Sequence, residues 1–200
     1  MNRIFILLGK SSSGKDSIFQ EIIKSHGNSL RTVVPYTTRP MREGEVDGKE
    51  YHFTDEKGFF AFKEAGKIIE DRQYDTVQGI WRYFTVDDGS FDSDGDLLLI
   101  GTVDSCISIR EYFKDRKEVL PLYIECDDGD RLIRAVNREK KRSVPQYREL
   151  CRRFLADEED FSEERIAAAK IAAGFFNRDL KECVSEVEGY ITGVSGPGRG

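Results

Sequence analysis

This chain has very little histidine, and that argues against one class of site. Two histidines, His26 and His52, are a poor basis for a histidine-bound metal centre. Cysteine offers no alternative. Cys106, Cys126, Cys151 and Cys183 are far apart, lack metal-ligand spacing, and are expected as reduced, half-buried thiols. No apolar run approaches the roughly 20 residues that span a bilayer. No basic segment followed by a cleavable apolar stretch opens the sequence, so the expectation is no signal peptide and a cytoplasmic location. A basic excess is missing too. Net charge is −6, whereas a nucleic-acid-binding surface is usually basic, so neither nucleic acid nor membrane is an expected partner. Small phosphorylated ligands remain open, because local charge decides those. Residues 127–130 and 157–164 are acidic, while 131–153 carry most of a basic stripe.

Two hundred residues suffice for one domain with a real core, and 38% hydrophobic against 34% charged content describes a globular chain on the polar side. There is no internal repeat. Apolar runs flanked by turn signals occur at 3–8, 31–34, 97–103 and 119–125, with segments of helical period between them. Strands alternating with helices predict an α/β fold, with a mostly parallel sheet flanked by helices. Residues 35–90 break the rhythm, which points to an inserted subdomain of short strands with one helix near 56–65. The stretch 87–96 reads as a solvated acidic turn. A last strand over Ile171–Phe176, a turn and a terminal helix complete a domain spanning 1–192, with core segments 1–34 and 91–192. The Gly/Pro/Ser-rich tail 193–200 is expected to be disordered.

Residues 9–17 read Gly-Lys-Ser-Ser-Ser-Gly-Lys-Asp-Ser, directly after the apolar run 4–8 and before the periodic residues Ile18, Phe19, Ile22 and Ile23. Strand, Gly-x4-Gly-Lys and helix in that order make a phosphate-binding loop. Glycines let backbone N–H groups curl around phosphate oxygens, and the helix presents its free N–H groups to the anion. Gly9, Lys10, Ser11, Ser12, Ser13, Gly14, Lys15, Asp16 and Ser17 are therefore the candidate ATP-binding residues, with Lys15 placing charge between phosphates. Asp16 stands where a Ser or Thr hydroxyl usually meets magnesium. Asp16 and Ser17 are the candidate metal ligands.

Residues 128–142 have helical period. Arg131, Arg134, Arg138 and Arg142 share one face, and Leu132, Ile133 and Val136 take the other. After Ser143-Val144-Pro145, a second helix puts Tyr147, Leu150, Cys151, Phe154 and Leu155 on its apolar face, away from Arg148, Arg152 and Arg153. Two solvated amphipathic helices or a phosphate clamp both fit this pattern. Two basic faces meeting at a turn in an acidic chain favour the clamp.

Residues 37–53 read Thr-Thr-Arg-Pro-Met-Arg-Glu-Gly-Glu-Val-Asp-Gly-Lys-Glu-Tyr-His-Phe. Arg39 and Arg42 offer two guanidinium forks suited to one phosphate, with the phenol of Tyr51 nearby. A second basic pocket beside a phosphate loop implies a second phosphorylated substrate. This stretch resembles the monophosphate-binding segment of guanylate kinases, Ser/Thr-Thr-Arg-x-x-Arg-x-Gly-Glu-x-x-Gly-x-x-Tyr-x-Phe. The resemblance runs over most of the chain, from the loop at 9–17 to Asn177-Arg178-Asp179-Leu180.

The resemblance implies a P-loop kinase that uses ATP and magnesium to phosphorylate GMP, with a monophosphate-binding subdomain at 35–90 and a helical lid at about 138–148. By it, Thr38, Arg39, Arg42 and Tyr51 belong to the GMP site, the last three on its phosphate. Glu70 accepts from guanine N1–H and the 2-amino group. Tyr83 and Thr85, in a stretch similar to Tyr-Gly-Thr, add a phosphate contact and a hydroxyl for the base. Arg138, Arg142 and Arg153 are the catalytic arginines together with Lys15, and Asn177 lies near adenine. The sequence departs from the family at Pro35 and Tyr36, where serines are usual. It departs again at Gly79–Arg82, and at Leu98–Thr102, which lacks terminal aspartates. A kinase for another small phosphorylated acceptor, or a non-catalytic guanylate-kinase-like binding module, are the alternatives.

Overall fold

The computed structural model describes residues 2–42, 44–76, 79–92, 94–171 and 174–193. The tail expected to be disordered lies outside them from residue 194 onward. Strand β1 (Arg3–Leu8) is followed by helix α1 (Lys15–His26), then β2 (Leu30–Thr32), β3 (Tyr36–Thr37), β4 (His52–Phe53), α2 (Glu56–Glu64), β5 (Ile68–Thr76) and β6 (Gly79–Val86). The chain continues through β7 (Asp96–Ile100), α3 (Val103–Phe113), β8 (Glu118–Glu125), α4 (Asp128–Lys140), α5 (Tyr147–Asp160), α6 (Glu163–Ala168), β9 (Gly174–Phe176) and α7 (Leu180–Ile191).

Five strands form one parallel sheet in the order β2-β7-β1-β8-β9. β1 is central, and Ile4 to Leu8 are fully buried, as a strand covered on both faces requires. Side chains alternate across the pleat. Ile4, Ile6 and Leu8 join Val103, Cys106, Ile109 and Phe113 of α3 on one face. Phe5 and Leu7 meet Ile18 and Ile22 of α1 and Cys183, Val187 and Ile191 of α7 on the other. The Arg3 N–H and Nε bind Asp96 at 2.8 and 3.0 Å, locking the starts of β1 and β7. The apolar run 97–103 makes a strand only to Ile100. Thr102 caps α3 by accepting from the Ser105 N–H, while the Ser105 hydroxyl serves the Thr102 backbone, so the chain turns helical three residues early.

A second sheet, in the order β4-β3-β6-β5, is built from residues 36–86. Phe59 of α2 packs on Phe84 and Val86 to form its own small core. Its main part is the antiparallel β5–β6 pair, whose strands of nine and eight residues are longer than expected for this segment.

On α4 it is the arginine side that turns inward. Arg131 is 1% exposed, whereas Leu132 and Ile133 are 37% and 61% exposed. On α5 no residue is fully buried, and Tyr147 and Leu155 are exposed. The reason is electrostatic. Arg131 lies 4.8 Å over the Phe154 ring and pairs with Asp157, so the α4–α5 contact is made by charge and stem rather than by leucine. The cysteines also differ from expectation. Cys106 and Cys183 are fully buried and Cys151 is exposed, and burial pushes the Cys183 thiol up to about 12. No helix among the described residues is long and apolar enough to cross a membrane.

Candidate phosphoryl-transfer site

The loop between β1 and α1 is fixed by its backbone. Ser12 takes φ 64°, a left-handed conformation that is unusual outside glycine, and Gly14 takes φ 98°. Only glycine fits the second position, since a Cβ there would lie 2.2 Å from Asn177 Nδ2. The loop's outer contacts come from three distant elements. The Ser11 N–H and hydroxyl donate to Asp157 at 2.8 and 3.2 Å. Arg131 Nε donates to the Ser11 carbonyl at 3.0 Å and its Nη2 to Asp157 at 2.7 Å. Asn177 Nδ2 donates to the Ser13 carbonyl at 2.7 Å, with Arg134 Nη1 on the same oxygen at 3.3 Å. Lys10 reaches Glu158 at 2.7 Å. These contacts use the Ser11 N–H and hydroxyl, the Ser11 and Ser13 carbonyls and the Lys10 ammonium. The Ser12 and Ser13 hydroxyls and Asn177 Oδ1 are buried without a protein partner among the described residues. Buried polar atoms of this kind suit an anionic, hydrogen-bonding ligand.

Lys15 opens α1, its Nζ 3.2 Å from Asp16 Oδ2. Asp16 and Ser17 are exposed on the first helical turn. Their oxygens are hard donors of the type magnesium takes. No group of three or more His, Cys, Asp or Glu among the described residues is placed to hold a metal by itself.

The second basic pocket lies on the smaller sheet. Arg39 is 3% exposed and makes a fork to Glu45 at 2.9 and 2.7 Å, so this arginine is already braced by a carboxylate. Burial pulls Arg39 down, but the Glu45 hydrogen bonds and the nearby Tyr83 outweigh it and hold it above its ordinary value. Arg42 differs. Glu45 accepts only from its backbone N–H, at 2.7 Å, and no carboxylate among the described residues pairs with its guanidinium. Burial lowers Arg42, and the charges of Arg39 and Arg153 lower it further. Arg39 lies 5.6 Å from the Tyr51 ring, which meets Tyr83 edge-on at 5.5 Å. Burial raises the Tyr51 phenol, keeping it a neutral donor. Thr38 exchanges hydrogen bonds with Arg82, its N–H donating to the Arg82 carbonyl at 3.0 Å and its hydroxyl accepting from the Arg82 N–H at 2.9 Å.

Deeper in the smaller sheet, Glu70 is 9% exposed and lies opposite Thr85 in the β5–β6 register. The Thr85 hydroxyl donates to Glu70 Oε1 at 2.7 Å, and Arg72 Nε donates to Oε2 at 3.3 Å. Arg72 Nη1 continues to the Thr102 hydroxyl at 3.1 Å, joining the two sheets.

Of the three catalytic arginines expected, Arg138 is exposed and pairs with no described carboxylate. Arg142 pairs with Glu139 at 3.1 Å, and the same carboxylate accepts from the Gln146 N–H at 2.8 Å, which closes the turn between α4 and α5. Arg153 pairs with Glu149 at 3.0 Å. Hydrogen bonds from Arg152, joined by Arg153 against the opposing effect of burial, hold Glu149 down at about 2. The structure brings Arg131 and Arg134 to the phosphate loop, and the charge of Arg153 is felt at Arg42. Sequence reasoning placed Arg131 and Arg134 only on a shared basic face. It missed Asp157, read as part of an acidic run, and Arg72, whose one signal was its place two residues after Glu70 on a strand.

The family model for guanylate kinase matches residues 1–79, the part holding both the phosphate loop and the Arg39–Tyr51 segment. A guanylate kinase from Nitrobacter winogradskyi is 28% identical over 193 residues, covering 94% of this chain and 81% of that protein. One from Enterococcus faecalis is 38% identical over 71 residues, 36% of this chain and 35% of that protein. The crystal structure of a guanylate kinase from Anaplasma phagocytophilum has the same fold, with a TM-score of 0.62 and 18% identity, covering 96% of this chain and 85% of the other. Sequence likeness along nearly the whole length, a family-model match across both phosphate-binding segments and a shared fold point the same way: the chain is similar to guanylate kinases.

Proposed function

We propose that this protein transfers the γ-phosphoryl group of ATP to GMP or dGMP, giving ADP and the corresponding diphosphate. One observation carries the reading. Two separate groups suited to anions support it: the loop at 9–17, with its left-handed Ser12 and Gly14 and its buried, unpartnered Ser12 and Ser13 hydroxyls, and the Arg39–Arg42–Tyr51 cluster, where the charge of Arg153 is also felt. The acceptor is itself a phosphate anion, so no strong general base is needed. In-line positioning, water exclusion and charge neutralisation are enough.

In this reading Lys15 and the loop N–H groups hold the ATP phosphates, and Asp157 and Arg131 hold the loop in shape. Arg42 takes the acceptor phosphate, Arg39 supports it from its Glu45 brace, and Tyr51 and Tyr83 donate from the side. Residues 35–90 act as the acceptor-binding subdomain, and the turn near 138–148 as the lid that brings Arg138 and Arg142 in. Asp16 and Ser17 would offer oxygens to a magnesium ion bound with ATP, which would supply charge neutralisation on the phosphates. The reaction belongs in the cytoplasm, where both nucleotides are found. A binding module without catalysis has no use for Lys15 in an intact loop, which favours the enzyme.

Glu70 gives the base preference. Its carboxylate suits the N1–H and 2-amino donors of guanine and opposes the N1 acceptor of adenine. The test is Glu70→Gln with GMP and AMP as acceptors. The expected result is a GMP/AMP ratio of kcat/KM that falls at least tenfold. An unchanged ratio sinks the base assignment.

A further inference from the structure

We propose that Arg72 is a specificity residue that reads the O6 edge of guanine beside Glu70. The proposal rests on Glu70 being the base acceptor. Glu70 and Arg72 lie two residues apart on β5, so their side chains leave the same face. With Arg72 Nε 3.3 Å from Glu70 Oε2, the pair presents two carboxylate oxygens followed by guanidinium N–H groups. In order these are acceptor, acceptor, donor. The pairing edge of guanine offers the complement: the 2-amino donor, the N1–H donor and the O6 acceptor. Arginine donating to guanine O6 is also the commonest specific contact that proteins make with that base.

The neighbouring donors are already committed. The Thr85 hydroxyl donates to Glu70 at 2.7 Å, Thr37 to the Arg82 carbonyl at 2.8 Å, and Tyr36 to Asp88 at 2.7 Å, while Pro35 has no N–H. Arg72 spends Nε on Glu70 and Nη1 on Thr102, but its Nη2 has no partner among the described residues. The Arg72 side chain is 23% exposed, so it is not closed off from solvent. Thr102, at the carboxyl end of the parallel sheet, anchors the guanidinium from the far side. Arg72 is thus held from two sides with one donor group unused, which is the arrangement a preorganised reader needs.

The experiment compares wild type, Arg72→Met and Arg72→Lys on GMP and on 6-thio-GMP, which keeps N1–H and the 2-amino group but carries a much weaker acceptor at position 6. Wild type is expected to prefer GMP. In Arg72→Met the KM for GMP should rise roughly 5- to 150-fold, the range of one good base contact. KM for ATP should stay within twofold, and the GMP/6-thio-GMP ratio should collapse toward one. Arg72→Lys keeps the charge beside Glu70 and loses the fork, so it should fall between. It also carries the test if Arg72→Met melts early. Equal losses on both acceptors, or an unchanged ratio in both variants, overturn the role of Arg72 while leaving the kinase reading standing. A wild type inactive on GMP overturns both.

Discussion

Replacing Arg131 with methionine should loosen the phosphate loop from behind, without touching any residue assigned to a substrate. Methionine keeps much of the stem and removes the guanidinium. That group is 1% exposed, donates to Asp157 at 2.7 Å and to the Ser11 carbonyl at 3.0 Å, pairs with Asp128, and covers the Phe154 ring. Breaking a buried ion pair from one side costs about 3–5 kcal/mol, because it leaves an unpaired charge. Here Asp157 keeps its two hydrogen bonds from Ser11, and Asp128 is half exposed, so the lower part of the range applies. About 3–4 kcal/mol is expected in urea unfolding at pH 7. Pairing Arg131→Met with Asp157→Asn should give a coupling energy of about 1–3 kcal/mol. The ATP KM should rise in both single variants while the GMP KM holds. A loss under 1 kcal/mol, or a coupling near zero, refutes the claim that this pair holds the loop.

Lys15→Ala should raise the barrier by about 3 kcal/mol or more, since it removes a preorganised charge, and turnover within tenfold of wild type with unchanged ATP affinity would count against it. Arg42→Ala should raise the acceptor KM and leave the ATP KM alone, and equal effects on both would make its role structural. Asp16→Asn should shift the magnesium dependence of activity, whereas a change confined to about 0.3–1 kcal/mol of stability would mark Asp16 as a helix N-terminal acid only. Asp96 is raised by burial, but the Arg3 hydrogen bonds more than offset this and hold its carboxyl below the usual range. A folded-state value depressed in this way gives stability that is present above the unfolded value near 3.9 and lost as pH falls through the folded one. Asp96→Asn should therefore destabilise clearly at pH 7 and much less at pH 3. A loss that is the same at both pH values contradicts the pairing.

The parts legible in the sequence are those where residue type and geometry coincide. Five apolar residues at 4–8 could only be a central strand, and glycine spacing with Lys15 could only be a tight anion loop. The segment 37–53 was legible as a basic cluster, and Arg39 does lie 5.6 Å from the Tyr51 ring. What could not be read was which arginine each carboxylate chooses. Helical period sorts α4 into a basic and an apolar face but does not say which turns inward. Arg131 goes inward because Asp157, 26 positions away, meets it there. Arg39 was expected to offer its fork to phosphate and is found braced on Glu45. The β5 strand was hidden for a similar reason. Glu70, Asp71, Arg72 and Gln73 do not read as strand residues, yet they pair in register with Thr85, Phe84, Tyr83 and Arg82 of β6.

Initial-rate measurement of ATP-dependent phosphorylation across GMP, dGMP, AMP, CMP and UMP tests the account most directly. It predicts that GMP and dGMP exceed the other three in kcat/KM by at least a hundredfold, the discrimination expected when a buried carboxylate meets an acceptor instead of a donor. Phosphorylation of AMP or UMP as efficient as that of GMP would contradict it.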